Sequence, residues 1–167
     1  GICGGYQMMG NYVHDPHGLE GPSGTTPGLD LLPVETILKA PKTTTLTRFH
    51  RQDIQGAGYE IHMGQTKRHG NDPLFTVVER NRCACKDADG CVSADNKMMG
   101  TYIHGLFENP AVTRLWLNSI GLTDIETSTL EGLEAKDREY DRLAEYFESH
   151  IDVEAIAATV QGHRGHG

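Results

Sequence analysis

Residues 1–7 read Gly1-Ile2-Cys3-Gly4-Gly5-Tyr6-Gln7. A nucleophile on a sharp strand-to-helix turn needs small neighbours to relieve crowding, and the backbone N–H that follows it can face a developing oxyanion. Gly1, Gly4 and Gly5 meet that need around Cys3, with a thiol as the nucleophile. The pattern predicts a helix opening over residues 5–10 and a strand feeding into the turn. Only two residues precede Cys3, so that strand is expected from chain upstream of residue 1. A cysteine in an ordinary glycine turn would satisfy the same pattern, and the letters further along the chain have to decide between the two.

Outward from the turn, residues 11–33 are rich in Gly, Pro, Asp and Thr and read as a long surface loop. Short β-branched or aromatic runs bounded by turn residues predict strands over 34–39, 58–64, 74–79 and 98–104. Within 58–64, Tyr59, Ile61 and Met63 share one face, and Glu60 and His62 the other. The period then changes. Asn109-Pro110 reads as a cap and first-turn proline, Val112, Leu115, Trp116 and Ile120 form a stripe, and Gly121 closes a helix. A second helix over 133–149 carries Tyr140, Leu143, Ala144 and Phe147 at helical spacing, and Asp152 can cap a third over 152–160. The expected organisation is one α/β domain with a mixed sheet over residues 1–160, then a disordered tail over 161–167.

Apolar residues, with Gly counted and Tyr left out, make about 45% of the 167, the globular range. The net charge is −8 and the 15 Lys and Arg are dispersed, which argues against a nucleic-acid surface. No apolar run reaches membrane-helix length, and the N-terminus shows no signal-peptide pattern. Four cysteines, three within nine residues, do not read as a disulfide framework, and a cytoplasmic location is expected.

Gly1-Ile2-Cys3-Gly4-Gly5-Tyr6-Gln7 resembles the Gly-Ile-Cys-x-Gly-x-Gln signature of class I glutamine amidotransferases. Asp15-Pro16, the run from Gly28 to Pro33, Gly58-Tyr-Glu-Ile-His-Met-Gly64, Asp89-Gly90 and Gly100-Thr-Tyr-Ile-His-Gly-Leu-Phe107 follow in order. Together they resemble the amidotransferase domain of the cobyric acid synthase family, over residues 1 to about 155. The resemblance implies a flavodoxin-like three-layer α/β domain, here truncated at its N-terminus. It implies Cys3 as the nucleophile forming a γ-glutamyl thioester and His104 as the base and acid. Gly4 would supply half of an oxyanion hole, the other half coming from an upstream loop, and Gly4, Gly5 and Gln7 would lie against bound glutamine, with Gln7 alternatively bracing the turn. Most class I domains place an acid two residues after the histidine. Here Gly105-Leu106 follow His104, so the resemblance implies a Cys-His dyad. Glu60 is a candidate orienter, and Glu60 and His62 otherwise line the site or form a structural pair.

By the same resemblance the released ammonia would pass to a synthetase domain that amidates corrin carboxylates in cobalamin biosynthesis. ATP, Mg and the corrinoid would bind that domain, because no Gly-x-x-x-x-Gly-Lys-Ser/Thr loop occurs here. A different reading is an inert fragment whose exposed strand edge would need cover, for which a homodimer is one solution. A third is a cysteine hydrolase acting on peptides. Cys83, Cys85 and Cys91 lack the fourth ligand of a metal knuckle and read as a variable loop, so no metal site is expected. His14, His17, His50 and His69 read as solvated loop residues, His163 and His166 as tail, and Met8, Met9, Met98, Met99 and Trp116 as core.

Overall fold

A computed structural model describes residues 1–127 and 132–162. Two units divide the chain, Gly1–Thr127 and a second that begins at Ser128. The first is mixed α/β and contains the elbow. One turn of helix, α1 (Gly4–Met8), precedes eleven strands: β1 (Tyr12–Asp15), β2 (Gly24–Pro27), β3 (Val34–Ile37), β4 (Thr43–Arg51), β5 (Ile54–His62), β6 (Gln65–Arg68), β7 (Phe75–Arg80), β8 (Cys83–Asp89), β9 (Cys91–Val92), β10 (Met99–Gly100) and β11 (Ile103–His104). A 3-10 turn (Leu106–Glu108) then leads into α2 (Pro110–Ser119).

The larger sheet runs β11-β5-β4-β7-β8 and is antiparallel throughout. The smaller runs β2-β1-β3-β6, with β1 and β3 parallel. Residues 11–33 are therefore not one loop, since β1 and β2 pair within them from Tyr12↔Pro27 to Asp15↔Gly24. The β1–β2 connection is pinned by Asp15, whose carboxylate accepts the N–H of Leu19 and of Glu20 at 2.8 and 2.9 Å. Polar turn residues there fold the chain back on itself, which a composition reading takes for a continuous loop. The β4–β5 and β7–β8 hairpins lack glycine in their turns. Gln52 sits at φ 53°, and Asn81 and Arg82 at φ 48° and 67°, the pair of positive angles that a tight two-residue hairpin requires.

Two apolar clusters hold the first unit. Phe49, Leu74, Phe75, Val77, Val92, Ile103, Leu106 and Val112 form one, with the Phe49 and Phe75 rings 4.5 Å apart. Tyr6, Leu32, Val34, Cys91 and Tyr102 form the other, beneath α1. In α2, Val112 and Leu117 are the buried positions, whereas Trp116 is 42% exposed with its edge on Phe107, and Ile120 is exposed. The expected stripe is thus rotated, and Trp116 is not core. Asn109 stands at the N-cap, but its amide is spent elsewhere: it accepts the N–H of Ala57 at 2.9 Å and donates to the Ala57 carbonyl at 2.8 Å, tying α2 to β5. Met8 is likewise exposed, while Met9 and Met98 pack on the second cluster and Met99 on the first.

The second unit contains α3 (Gly132–His150) and α4 (Val153–Gly162). Asp152 caps α4 by accepting the N–H of Ala155 at 2.9 Å. Tyr140, Leu143 and Phe147 of α3 are exposed. Helix continues through Gln161 and Gly162, past the expected start of the tail; the rest of that tail, with His163 and His166, lies outside the described residues. No helix among the described residues is long and apolar enough to cross a membrane.

Candidate active site

Cys3 lies at φ 54° and ψ −118°, a left-handed conformation that a non-glycine residue holds at a cost of about 1–3 kcal/mol. The surrounding hydrogen bonds over-determine it. Ile2 bridges Thr101 in parallel fashion, the Cys3 N–H donates to the Thr101 carbonyl at 2.9 Å, and the Thr101 N–H donates to the Gly1 carbonyl at 3.1 Å. On the other side Gly5 donates to the Ile2 carbonyl and Gln7 to the Cys3 carbonyl. The strained turn predicted from the glycines is present, followed by one turn of helix rather than a helix to residue 10. Gly4 and Gly5 are exposed, and a Cβ on either would meet nothing within 4 Å. The Gly4 N–H makes no hydrogen bond among the described residues.

The edge of β5 positions the elbow. In an antiparallel pair, residues directly opposite share a face. Tyr59 opposes His104, and their rings stack with centroids 5.1 Å apart and planes 7° from parallel. Past the end of β11, alternate β5-side carbonyls are free of the ladder and turn to the elbow: the Cys3 thiol donates to the Ile61 carbonyl at 3.3 Å, and Gln7 Nε2 donates to the Met63 carbonyl at 3.3 Å. His104 Nε2 is buried and has no hydrogen-bond partner among the described residues. The thiol and the imidazole thus belong to one wall of β5 and one continuous run, Thr101 to His104, but the thiol is bonded to Ile61 and not to His104.

Gln7 is buried, and its Nε2 also donates to the Tyr102 hydroxyl at 3.1 Å. Its carboxamide braces the turn, the second of the two roles expected for it. Glu60 makes no hydrogen bond to His104. It is 5% exposed and accepts from Thr47 Oγ1 at 2.8 Å and from Arg80 Nε at 3.1 Å, with His62 Nε2 at 3.4 Å. Burial opposes its charge, but the bonds from His62 and Thr47 and the Arg80 guanidinium outweigh burial and hold the carboxyl below its usual range. Glu60 therefore orients His62, whose ring stacks on Tyr102 at 4.0 Å and whose Nδ1 is buried without a partner among the described residues. Arg80 in turn joins Glu60 to Asp87. Desolvation opposes the Arg80 charge, yet Glu60 and Asp87 raise its pKa above the ordinary value. Nothing in the motif strings points to Thr47, Arg80 or Tyr102 as this support. Only the two-residue period linking Glu60 to His62 was a usable signal.

The remaining candidates fall away from the elbow. Cys83 is exposed, Cys85 packs on the first cluster and Cys91 is buried in the second. Among the described residues no three His, Cys, Asp or Glu side chains gather to hold a metal. His14 and His50 lie within strands, not loops, and His14 and His69 flank Glu35 at 3.8 and 3.7 Å.

Residues 1–112 match the CobB/CobQ-like glutamine amidotransferase domain. The chain is 45% identical to a cobyric acid synthase of Chlorobium phaeobacteroides (strain BS1), over 92% of this chain and 31% of that protein. It is 40% identical to the cobyric acid synthase of Limosilactobacillus reuteri (strain DSM 20016), over 96% of this chain and 33% of that protein, and 41% identical to that of Rhodobacter capsulatus, over 95% and 32%. It spans about a third of the length of these curated relatives. With the elbow at Cys3, the histidine strand and mixed α/β architecture of the class I amidotransferase fold, the chain belongs to the CobB/CobQ-like glutamine amidotransferase domain family.

Proposed function

We propose that this chain is the glutamine-hydrolysing portion of a cobyric acid synthase. The observation that carries the reading is the left-handed Cys3, hung on the Thr101 backbone at the head of the segment that ends in His104, whose Nε2 is buried and unpartnered among the described residues. Cys3 Sγ attacks the side-chain carboxamide of glutamine while His104 takes the thiol proton. The tetrahedral oxyanion faces the Gly4 N–H. Collapse breaks the C–N bond, His104 returns the proton to the leaving nitrogen, ammonia departs and a γ-glutamyl thioester remains. Water attacks the thioester with His104 again as base, which releases glutamate and restores the thiol. For the first step the thiol rotates away from the Ile61 carbonyl toward the imidazole.

The ammonia would serve ATP-dependent amidation of corrin carboxylates, the role its relatives' name suggests. No Gly-x-x-x-x-Gly-Lys-Ser/Thr loop occurs in this chain, and none of these steps uses ATP, Mg or the corrinoid. An inert fragment is the second reading, favoured by the absence of a Cys3–His104 hydrogen bond.

Glutamate release from glutamine by the purified chain tests both. Turnover is expected, abolished by Cys3→Ala and reduced at least about a hundredfold by His104→Ala, given the usual weight of general acid–base catalysis. A folded chain with no turnover, and with Cys3 unlabelled by a glutamine-like diazo ketone, leaves the inert fragment. Cleavage of peptides without glutamine preference would instead identify a peptidase.

A further inference from the structure

Behind the elbow, where β6, the end of β8 and α1 meet, lies a cavity of about 270 Å³ lined by Tyr6, Thr66, Arg68, Asp89, Gly90 and Tyr102 among others. None of Cys3, Gly4, His62 and His104 lines it. Its walls hold two opposite charges that do not neutralise one another. Arg68 Nη1 donates to the Gly90 carbonyl at 3.0 Å, and Arg68 makes no ion pair among the described residues. Asp89 is 5% exposed and accepts from the Thr101 hydroxyl and the Tyr102 N–H, with no cation in ion-pair contact among the described residues. Burial raises its pKa, outweighing the hydrogen bonds from Thr101 and the Tyr102 N–H. The Tyr6 side chain, only 2% exposed, lines the same cavity.

A lone anion entering this cavity would meet Asp89, and a lone cation would meet Arg68. A ligand carrying both charges a few ångströms apart satisfies both walls at once. We propose that this cavity binds the zwitterionic head of a small free α-amino acid, its carboxylate on Arg68 and its ammonium on Asp89, with the Tyr6 hydroxyl completing the polar set. The volume is near the lower limit of about 300 Å³ for ligand pockets, enough for a small amino acid and too little for a nucleotide. Tyr102 links the site to the elbow, because its hydroxyl bonds Gln7 and Thr66 and its ring stacks on His62.

Glycine is the probe of choice. It has no side-chain amide, so its binding is independent of whether the chain hydrolyses glutamine. In amide-resolved NMR titrations of the full chain, glycine should shift the signals of Tyr6, Arg68 and Gly90. Acetate and methylammonium, each half of the zwitterion, should need at least tenfold higher concentrations. Arg68→Gln should raise the glycine Kd at least tenfold with the remaining spectrum unchanged, and Tyr6→Phe should weaken binding severalfold if the Arg68 variant fails to fold. Equal binding of either half-ligand, no shifts at all, shifts centred on Cys3 and His104, or undiminished binding in a folded variant would each overturn the site.

Discussion

Glu60 shows how a single residue in this chain is held by what surrounds it. Its carboxyl is buried among Thr47, Arg80 and His62, and its pKa lies below the usual carboxylate value. A depressed folded-state pKa means that the ionised carboxylate contributes stability above the ordinary carboxyl range, and that the contribution is lost as the pH falls through the folded value. Glu60→Gln keeps a partner for Thr47 but removes the charge facing Arg80. It should destabilise the chain by about 2 kcal/mol at pH 7, with the gap narrowing in urea titrations as the pH drops below about 4. A gap that is constant with pH would mean that the carboxylate is not the stabilising form. In turnover assays the same variant should affect glutamine use through His62 alone, since Glu60 does not touch His104.

At the scale of elements, the elbow depends on close packing between α1 and the short strand β10. The ring of Tyr6 lies directly over Gly100, where a Cβ would overlap it. Gly100→Ala should therefore cost about 1–3 kcal/mol by overpacking and displace α1, so that its denaturation midpoint falls and Cys3 alkylation by a glutamine-like label slows with it. The hairpins explain where local reading gives out. The β5 string Gly58-Tyr-Glu-Ile-His-Met-Gly64 alternates in the strand period and is bounded by glycines, so the strand and its facing were legible. Its partner β4 was not, because Gln52-Asp53 is not a recognised hairpin dipeptide, and Asn81-Arg82 hides β7–β8 in the same way. β8 consists of Cys, Ala, Lys and Asp, poor strand formers that pair because β7 offers a free edge.

Over the whole molecule, every residue of both apolar clusters comes from before residue 128. A chain ending at Thr127 should accordingly keep one cooperative thermal transition and the reactivity of Cys3. Loss of the transition, read by circular dichroism, would show that the second unit is required for the first to fold. The first unit also explains why Trp116 misleads as a core residue. Helical spacing identifies an apolar face of α2, but which part of that face is covered depends on how Asn109 anchors the helix to Ala57 of β5.

The sequence by itself determined the elbow at Cys3 and the strand around Glu60, because each is written in contiguous residue types: glycines around a thiol, and an alternating run bounded by glycines. The run expected as one strand over 98–104 is instead divided between β10 and β11, which pair in different sheets. Tertiary structure alone decided the rest. Gln7 donates to Met63 and Tyr102, Glu60 lies against His62 and not His104, the thiol rests on Ile61, and Arg68 and Asp89 share a cavity. Each of these depends on which backbone carbonyl or charged group lies opposite once distant stretches of the chain are brought together, and no local spacing encodes that.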